Sequence, residues 1–246
     1  MNLLRIVIFT FIYFYSGLIA AQTPAFLEEE GLVVIEIESI AAVPTGWSEE
    51  TEFEGFTGSS YFRYAANNQF NNPGVDLIEY SVFIQNPGRY KFQWRSLIAE
   101  GTSTTDANDS WLKIRADAYY GLQGSNSIVC PRGYDPELNA CPVEMDDDGN
   151  VTPAGSGSDG WFKIYRSGPG DWVWSTNTSD SDGHRIYAQF NNPGLYVIQI
   201  SGRSRDHAID RMVLFSDDFM GDPLNIELTE SPLVDADLIF VNGFEL

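Results

Sequence analysis

ISGRSRDHAIDRMVLF, residues 200–215, decides the fold of this chain. Polar and apolar residues alternate, and Asp210 stands between apolar neighbours. A carboxylate in a buried strand requires a partner, because a bare charge in an apolar interior is costly. The other end of the strand-rich region supplies candidates. Val33–Ile40 reads VVIEIESI, so Glu36 and Glu38 lie two apart on a strand and share a face. Three carboxylates from the first and last strands predict a cation clamp. Oxygen-only ligands suit calcium, expected here in a structural role.

Working outward, the chain from Leu32 consists of short runs with period-two alternation, broken by Gly, Pro and Asn turns. That pattern predicts an all-β, two-sheet antiparallel β-sandwich of jelly-roll type. Two echoes support it. Asn86-Pro-Gly-Arg-Tyr90 and Asn192-Pro-Gly-Leu-Tyr196 each precede a strand, and Pro-Gly fits a type II turn. QFNNPG occurs at Gln69 and again at Gln189. Asp109-Ser-Trp111-Leu-Lys-Ile114 echoes Asp159-Gly-Trp161-Phe-Lys-Ile164, with Trp and Lys on one face and the aliphatic residues and Phe on the other. Recurring turn-and-strand grammar accounts for these pairs.

The expected organisation is a signal peptide at 1–21, a linker at 22–31, the jelly roll at 32–218 and a tail at 219–246. Arg5 is the one charged residue in the first 27, Ile6–Ile19 is apolar, and Ala20 and Ala21 close the segment. The run is short for a membrane span and suits cleavage, which predicts a secreted, soluble and monomeric product. Residues 119–160, rich in Gly, Asp, Asn and Pro, read as a long insertion loop. Cys130 and Cys141 lie within it and are expected to form a disulfide that staples it. Glu144–Asn150 partly resembles a D-x-D-x-D-G calcium loop, although the distal Glu is missing. The tail ends LIFVNGFEL, either a docking strand or an export or attachment signal.

Fourteen basic and 35 acidic residues give a net charge of −21. Loss of Arg5 with the signal makes this 13 − 35 = −22. Such a surface excludes nucleic acid and acidic membranes as partners, and it disfavours strongly anionic polysaccharides.

The order of these motifs resembles calcium-bearing carbohydrate-binding modules of families six and thirty-five. Asp76-Leu-Ile-Glu-Tyr80, Pro87-Gly88-Arg-Tyr90 and Arg95 are similar to that group's D-W-hydrophobic-E-Y, G-x-Y and R positions. Glu36 and Glu38 resemble its first strand, Trp172-Val-Trp174 its W-x-x-W segment, and Asn191–Tyr196 and Ile209–Phe215 its last two strands. The resemblance runs from Val33 to Phe215, insertion apart. It implies a galactose-binding-like jelly roll in which Glu36, Glu38 and Asp210 hold calcium and Tyr61 and Trp172 sandwich a sugar ring. It also implies an Asn two residues before the last calcium ligand; this chain has Ala208 there, so His207 or Asp206 is expected to serve instead.

Other candidates come from the residues themselves. Trp172 and Trp174 lie two apart on an expected strand, about 7 Å, which suits a platform for a pyranose. Asn108 and Asp109 follow the polar run GTSTTDA and could meet sugar hydroxyls. No G-x-S-x-G or H-E-x-x-H motif occurs, and no Q-[IV]-H signature of a jelly-roll lyase. A secreted non-catalytic module recognising a polysaccharide or other glycan is therefore expected. A structural or adhesion module of the cell surface is the alternative, and a lyase ranks below both.

Overall fold

The computed structural model describes residues 24–101, 103–133, 141–142, 154–155, 157–168 and 170–235. The expected signal peptide, the Glu144–Asn150 loop and the LIFVNGFEL tail lie outside these. The described residues form sixteen strands and no helix. In chain order they are β1 (Pro24–Leu27), β2 (Leu32–Glu36), β3 (Trp47–Glu50), β4 (Tyr61–Tyr64), β5 (Ile78–Ile84) and β6 (Gly88–Ile98). Next come β7 (Asp109–Arg115), β8 (Ala118–Gln123), β9 (Ser127–Val129), β10 (Phe162–Tyr165) and β11 (Val173–Trp174). The last are β12 (Asn177–Thr178), β13 (His184–Phe190), β14 (Gly194–Ser201), β15 (His207–Ser216) and β16 (Leu233–Asp235).

Hydrogen bonding runs β16-β1-β5-β14-β7-β10-β12-β13-β6-β15-β4-β3. The path curls into two facing layers: β5, β14, β7 and β10 in one, and β13, β6 and β15 in the other, with short β12 between them. The result is the expected jelly-roll-type sandwich. The two echoing segments β7 and β10 are neighbours in one layer, with Leu112 opposite Phe162. Ile78, Tyr80, Phe92, Trp94, Ile164 and Ile198 fill the space between the layers. Each such side chain contributes roughly 1.5–3 kcal/mol when fully buried.

The repeated Asn-Pro-Gly turns share one device. The Tyr90 hydroxyl donates to the Asn86 carbonyl at 2.7 Å, and the Tyr196 hydroxyl to the Asn192 carbonyl at 2.9 Å. Each tyrosine thereby ties the start of its strand to the turn before it.

Three expected boundaries change. Within the expected linker, Pro24–Leu27 is a strand and runs parallel to β5, so the sheet is mixed rather than wholly antiparallel. Ala25 and Phe26 are buried, which the alternation test misses because the run is short. The insertion does not begin as a loop: β8 pairs with β13 and β9, and Tyr119 reaches the main core. The tail also returns to the sheet, with β16 pairing β1 and the Ser231 hydroxyl accepting from the Val34 amide at 3.0 Å. Cys130 and Cys141 are bonded, their Cα atoms 5.9 Å apart, and pack beside Tyr120 and Leu122.

Candidate functional site

Asp210 owes its position to a break in strand alternation. Ile209 and Met212 both face the main core although they are three residues apart. The pairing of β15 with β6 shifts between Ile209 and Arg211, which marks a β-bulge at Asp210. The extra residue turns Asp210 and Arg211 to the outer side, toward β2 and the loop before β4.

Glu36, Glu38 and Asp210 meet there around residues 57–60. The Thr57 amide donates to Asp210 Oδ1 at 2.8 Å, and the Thr57 hydroxyl donates to Glu36 Oε2 at 2.7 Å. Glu38 Oε1 accepts from the amides of Ser59 and Ser60. Gly58 has φ +63°, and a Cβ there would lie 2.1 Å from Glu38 Oε1 and 3.2 Å from the Glu36 carboxyl carbon. Glycine is thus required for both its backbone and the close approach of the carboxylates.

Arginine meets much of this negative charge. Arg95 pairs with Asp210 at 2.5 Å and also donates to the Gly55 carbonyl at 2.8 Å. Arg211 pairs with Glu36 through Nε, at 2.9 Å, and Nη2. Desolvation raises the Asp210 carboxyl to about 6, partly countered by the Thr57 amide and Arg95. The donors are all oxygens and so fit calcium in kind. Glu38 Oε2 is buried with no hydrogen-bond partner among the described residues. With both arginines seated, however, no group of three or more His, Cys, Asp or Glu among the described residues surrounds a single point.

Arg95 links this junction to the expected aromatic pair. Its guanidinium lies 5.6 Å from the Trp172 ring centroid. Trp172 in turn contacts Tyr61, with centroids 5.0 Å apart at 64°. The two rings meet edge to face, so they do not stand as walls of an open slot. Leu97 and Ala208 bury them further, and Phe53 and Phe56 cover the cluster. Trp174 is half-buried on β11.

The remaining candidates are more deeply held. His207 faces the interior at 0 % exposure, with Nδ1 2.8 Å from the Ser110 hydroxyl, so it is not available to a surface ligand. This corrects the expectation that it replaces the missing Asn: β15 alternation turns it inward. The Asn108 amide is used on the Thr104 and Arg166 carbonyls. Asp109 is buried and pairs with Arg203 while accepting from the Ser204 hydroxyl.

Asp109 nevertheless leads to an open groove. This groove of about 540 Å³ is lined by Asn68, Phe70, Thr105, Asp109, Arg203 and Arg205, among others. Phe70 is 48 % exposed and is the only aromatic among the exposed large hydrophobics of the described residues. The Arg203 guanidinium lies between two rings, 4.9 Å from Phe70 and 4.9 Å from Trp111. Trp111 donates from its indole to the Gln69 carbonyl at 2.8 Å, and the Arg205 amide donates to Asn68 Oδ1 at 2.8 Å. Phe70 therefore stands on an ordered stack and presents ring surface beside hydroxyl, amide and guanidinium groups. Two other grooves, of about 470 and 670 Å³, have no exposed aromatic in their lining. Nothing in the local sequence marks Phe70 as a candidate, because QFNNPG reads as a turn in both of its copies.

No family model matches the chain, and no relative is found among curated proteins. Solved structures similar to it include a Podospora anserina GH26-CBM35 β-(1,4)-mannanase, with TM-score 0.43, 14 % identity and coverage of 76 % of this chain and 28 % of that one. A family 35 carbohydrate-binding module from Clostridium thermocellum gives TM-score 0.32 and 16 % identity, covering 79 % of this chain and 98 % of the module. The VIP36 exoplasmic/lumenal domain in its Ca²⁺/Man-bound form gives TM-score 0.28 and 12 % identity, covering 84 % and 98 %. This chain spans between 17 % and 28 % of the length of the first three structures matched. At such scores the likeness decides neither ligand nor mechanism, which rest on the residues.

Proposed function

We propose that this chain is a secreted, non-catalytic carbohydrate-binding domain that takes a neutral or weakly charged polysaccharide at the Phe70 groove. The observation that carries this reading is the half-exposed Phe70 ring backed by Arg203 and Trp111. An aromatic face binds the C–H face of a pyranose through area burial and contact with the ring quadrupole. Asn68, Thr105 and Arg205 border the ring and suit hydroxyl contacts. A net charge of −21 disfavours a heavily sulfated or uronate-rich chain.

Calcium belongs to the same reading as a structural ion held by Glu36, Glu38 and Asp210. It would tie the first and last strands together, neutralising carboxylates that Arg95 and Arg211 otherwise meet. The buried, unpartnered Glu38 Oε2 supports it.

A glycan array with calcium present, followed by calorimetry on the best ligand, tests the function. Phe70→Ala is expected to weaken binding about tenfold or more, equivalent to about 1.4 kcal/mol. Equal binding by both proteins would place the site away from the Phe70 groove. Silence across the array would favour the adhesion-module reading.

A further inference from the structure

The interior of the sandwich is apolar over most of its length and polar at one end. Trp94 and Ser96 lie two apart on β6 and so share its inward face. His207 opens β15, its ring centroid 5.8 Å from that of Trp94. Two bonds cross between the layers at this level. Ser110 of β7 meets His207 Nδ1 at 2.8 Å, and Arg166, just after β10, donates from Nη1 to the Ser96 carbonyl at 2.9 Å. Trp94, Ser96, Ser110, Arg166 and His207 are all 0 % exposed.

Arg166 is a buried guanidinium that pairs with no carboxylate among the described residues. Its Nη2 reaches the carbonyls of Gly168, Gly170 and Asp171, each at 3.3 Å. Arg166 Nε, Trp94 Nε1, Ser96 Oγ and His207 Nε2 have no hydrogen-bond partner among the described residues. Burial and the nearby Arg166 charge keep the His207 imidazole neutral, its pKa lowered to about 3. When the Ser110 hydroxyl donates to Nδ1, Nε2 carries the ring proton. The four groups then offer N–H or O–H donors to one polar end of the core. Of these four groups only the Ser96 hydroxyl can also accept, so a water would find one acceptor among them for its two protons, whereas an anion accepts from all four.

We propose that the end of the core bounded by Trp94, Ser96, Arg166 and His207 holds one small inorganic anion, chloride in ordinary media. The ion supplies the negative charge that Arg166 lacks and satisfies buried donors that otherwise carry a full desolvation penalty. It acts as an internal pin between the two layers and is independent of the sugar reading. It also gives a net-acidic protein a stability that rises with halide.

The test uses the full chain refolded and crystallised in bromide, with anomalous scattering recorded at the bromine edge. A peak within hydrogen-bond reach of Arg166 Nε and Trp94 Nε1 is expected. A site filled by water, with no anomalous peak, overturns the proposal. Thermal unfolding at constant ionic strength, with gluconate replaced by chloride, gives a second readout. The transition temperature of the native sequence should rise with chloride. Trp94→Phe keeps an aromatic ring but removes one donor, and should move the response to about tenfold higher chloride. Ser96→Ala serves the same purpose if the tryptophan variant does not fold. A native protein indifferent to chloride, or a donor-deleted variant with an unchanged response, likewise overturns it.

Discussion

Tyr61 and Trp172 touch each other edge to face, ring centroids 5.0 Å apart, where an open slot between two aromatics would hold a sugar. Both rings are buried, Tyr61 at 0 % and Trp172 at 9 % exposure, and Arg95 lies against Trp172. The contact makes Trp172 a packing residue in this arrangement. Trp172→Ala should therefore destabilise the domain by about 3–5 kcal/mol, as expected for truncating a buried aromatic. Urea unfolding followed by fluorescence measures this. Unchanged stability together with lost glycan binding would instead return Trp172 to the ligand face.

The sandwich was legible because its strands alternate over long stretches and its turns carry Pro-Gly. The meeting of Glu36, Glu38 and Asp210 was also legible, since an acidic residue on an apolar strand demands a partner. The bulge that aims Asp210 was not, because alternation assumes one residue per pleat. Nor was the guanidinium of Arg211, which follows Asp210 and pairs with Glu36 across β2. QFNNPG shows the limit of local reading most directly. Phe190, in its second copy, is 0 % exposed and packs on Tyr90, whereas Phe70, in its first, is 48 % exposed. Identical neighbours along the chain give opposite burial, since one copy ends a central strand and the other lies in a turn at the groove.

Acid stability should reflect two buried groups acting in opposite directions. His207 falls from 6.5 to about 3 on folding, so its contribution is present above pH 6.5 and is lost as pH falls toward 3. Asp210 rises from 3.8 to about 6, so its contribution is full below pH 3.8 and is lost as pH rises through 6. The His207 shift is the larger, and stability should decline on acidification from pH 6.5 to 4. Asp210→Asn should steepen that decline, and His207→Gln should reverse it, leaving the Asp210 gain on acidification. Denaturant midpoints across this range, in calcium-free buffer, provide the check. A native profile that rises on acidification would contradict the assigned shifts.

The disulfide should act locally. Cys130 and Cys141 are 11 apart in sequence and pack with Ala118, Tyr120 and Ile128, beside β8 and β9 rather than between the two main layers. Replacing both by Ala should lower stability by about 3 kcal/mol in the chain-entropy account. Hydrogen exchange should quicken at β8 and β9 while β6, β14 and β15 stay protected. Uniform loss of protection would mean that the bond holds the whole sandwich.

Calcium gives the sharpest separation between donors that do different things. At a concentration 100 times its Kd, a bound ion stabilises the fold by about 2.7 kcal/mol, visible as a higher transition temperature than in chelator. Glu38→Gln keeps a carbonyl oxygen for the Ser59 and Ser60 amides, so stability in chelator should hardly change. It removes the charge beside the unpartnered Oε2, so the response to calcium should be lost. Asp210→Asn weakens the partner of Arg95, and should lower stability in chelator as well as abolish the calcium response. Calorimetry of the three proteins, each with calcium and with chelator, measures both effects. A native protein that melts identically in the two conditions would show that Arg95 and Arg211 alone balance the cluster and that no ion is held there.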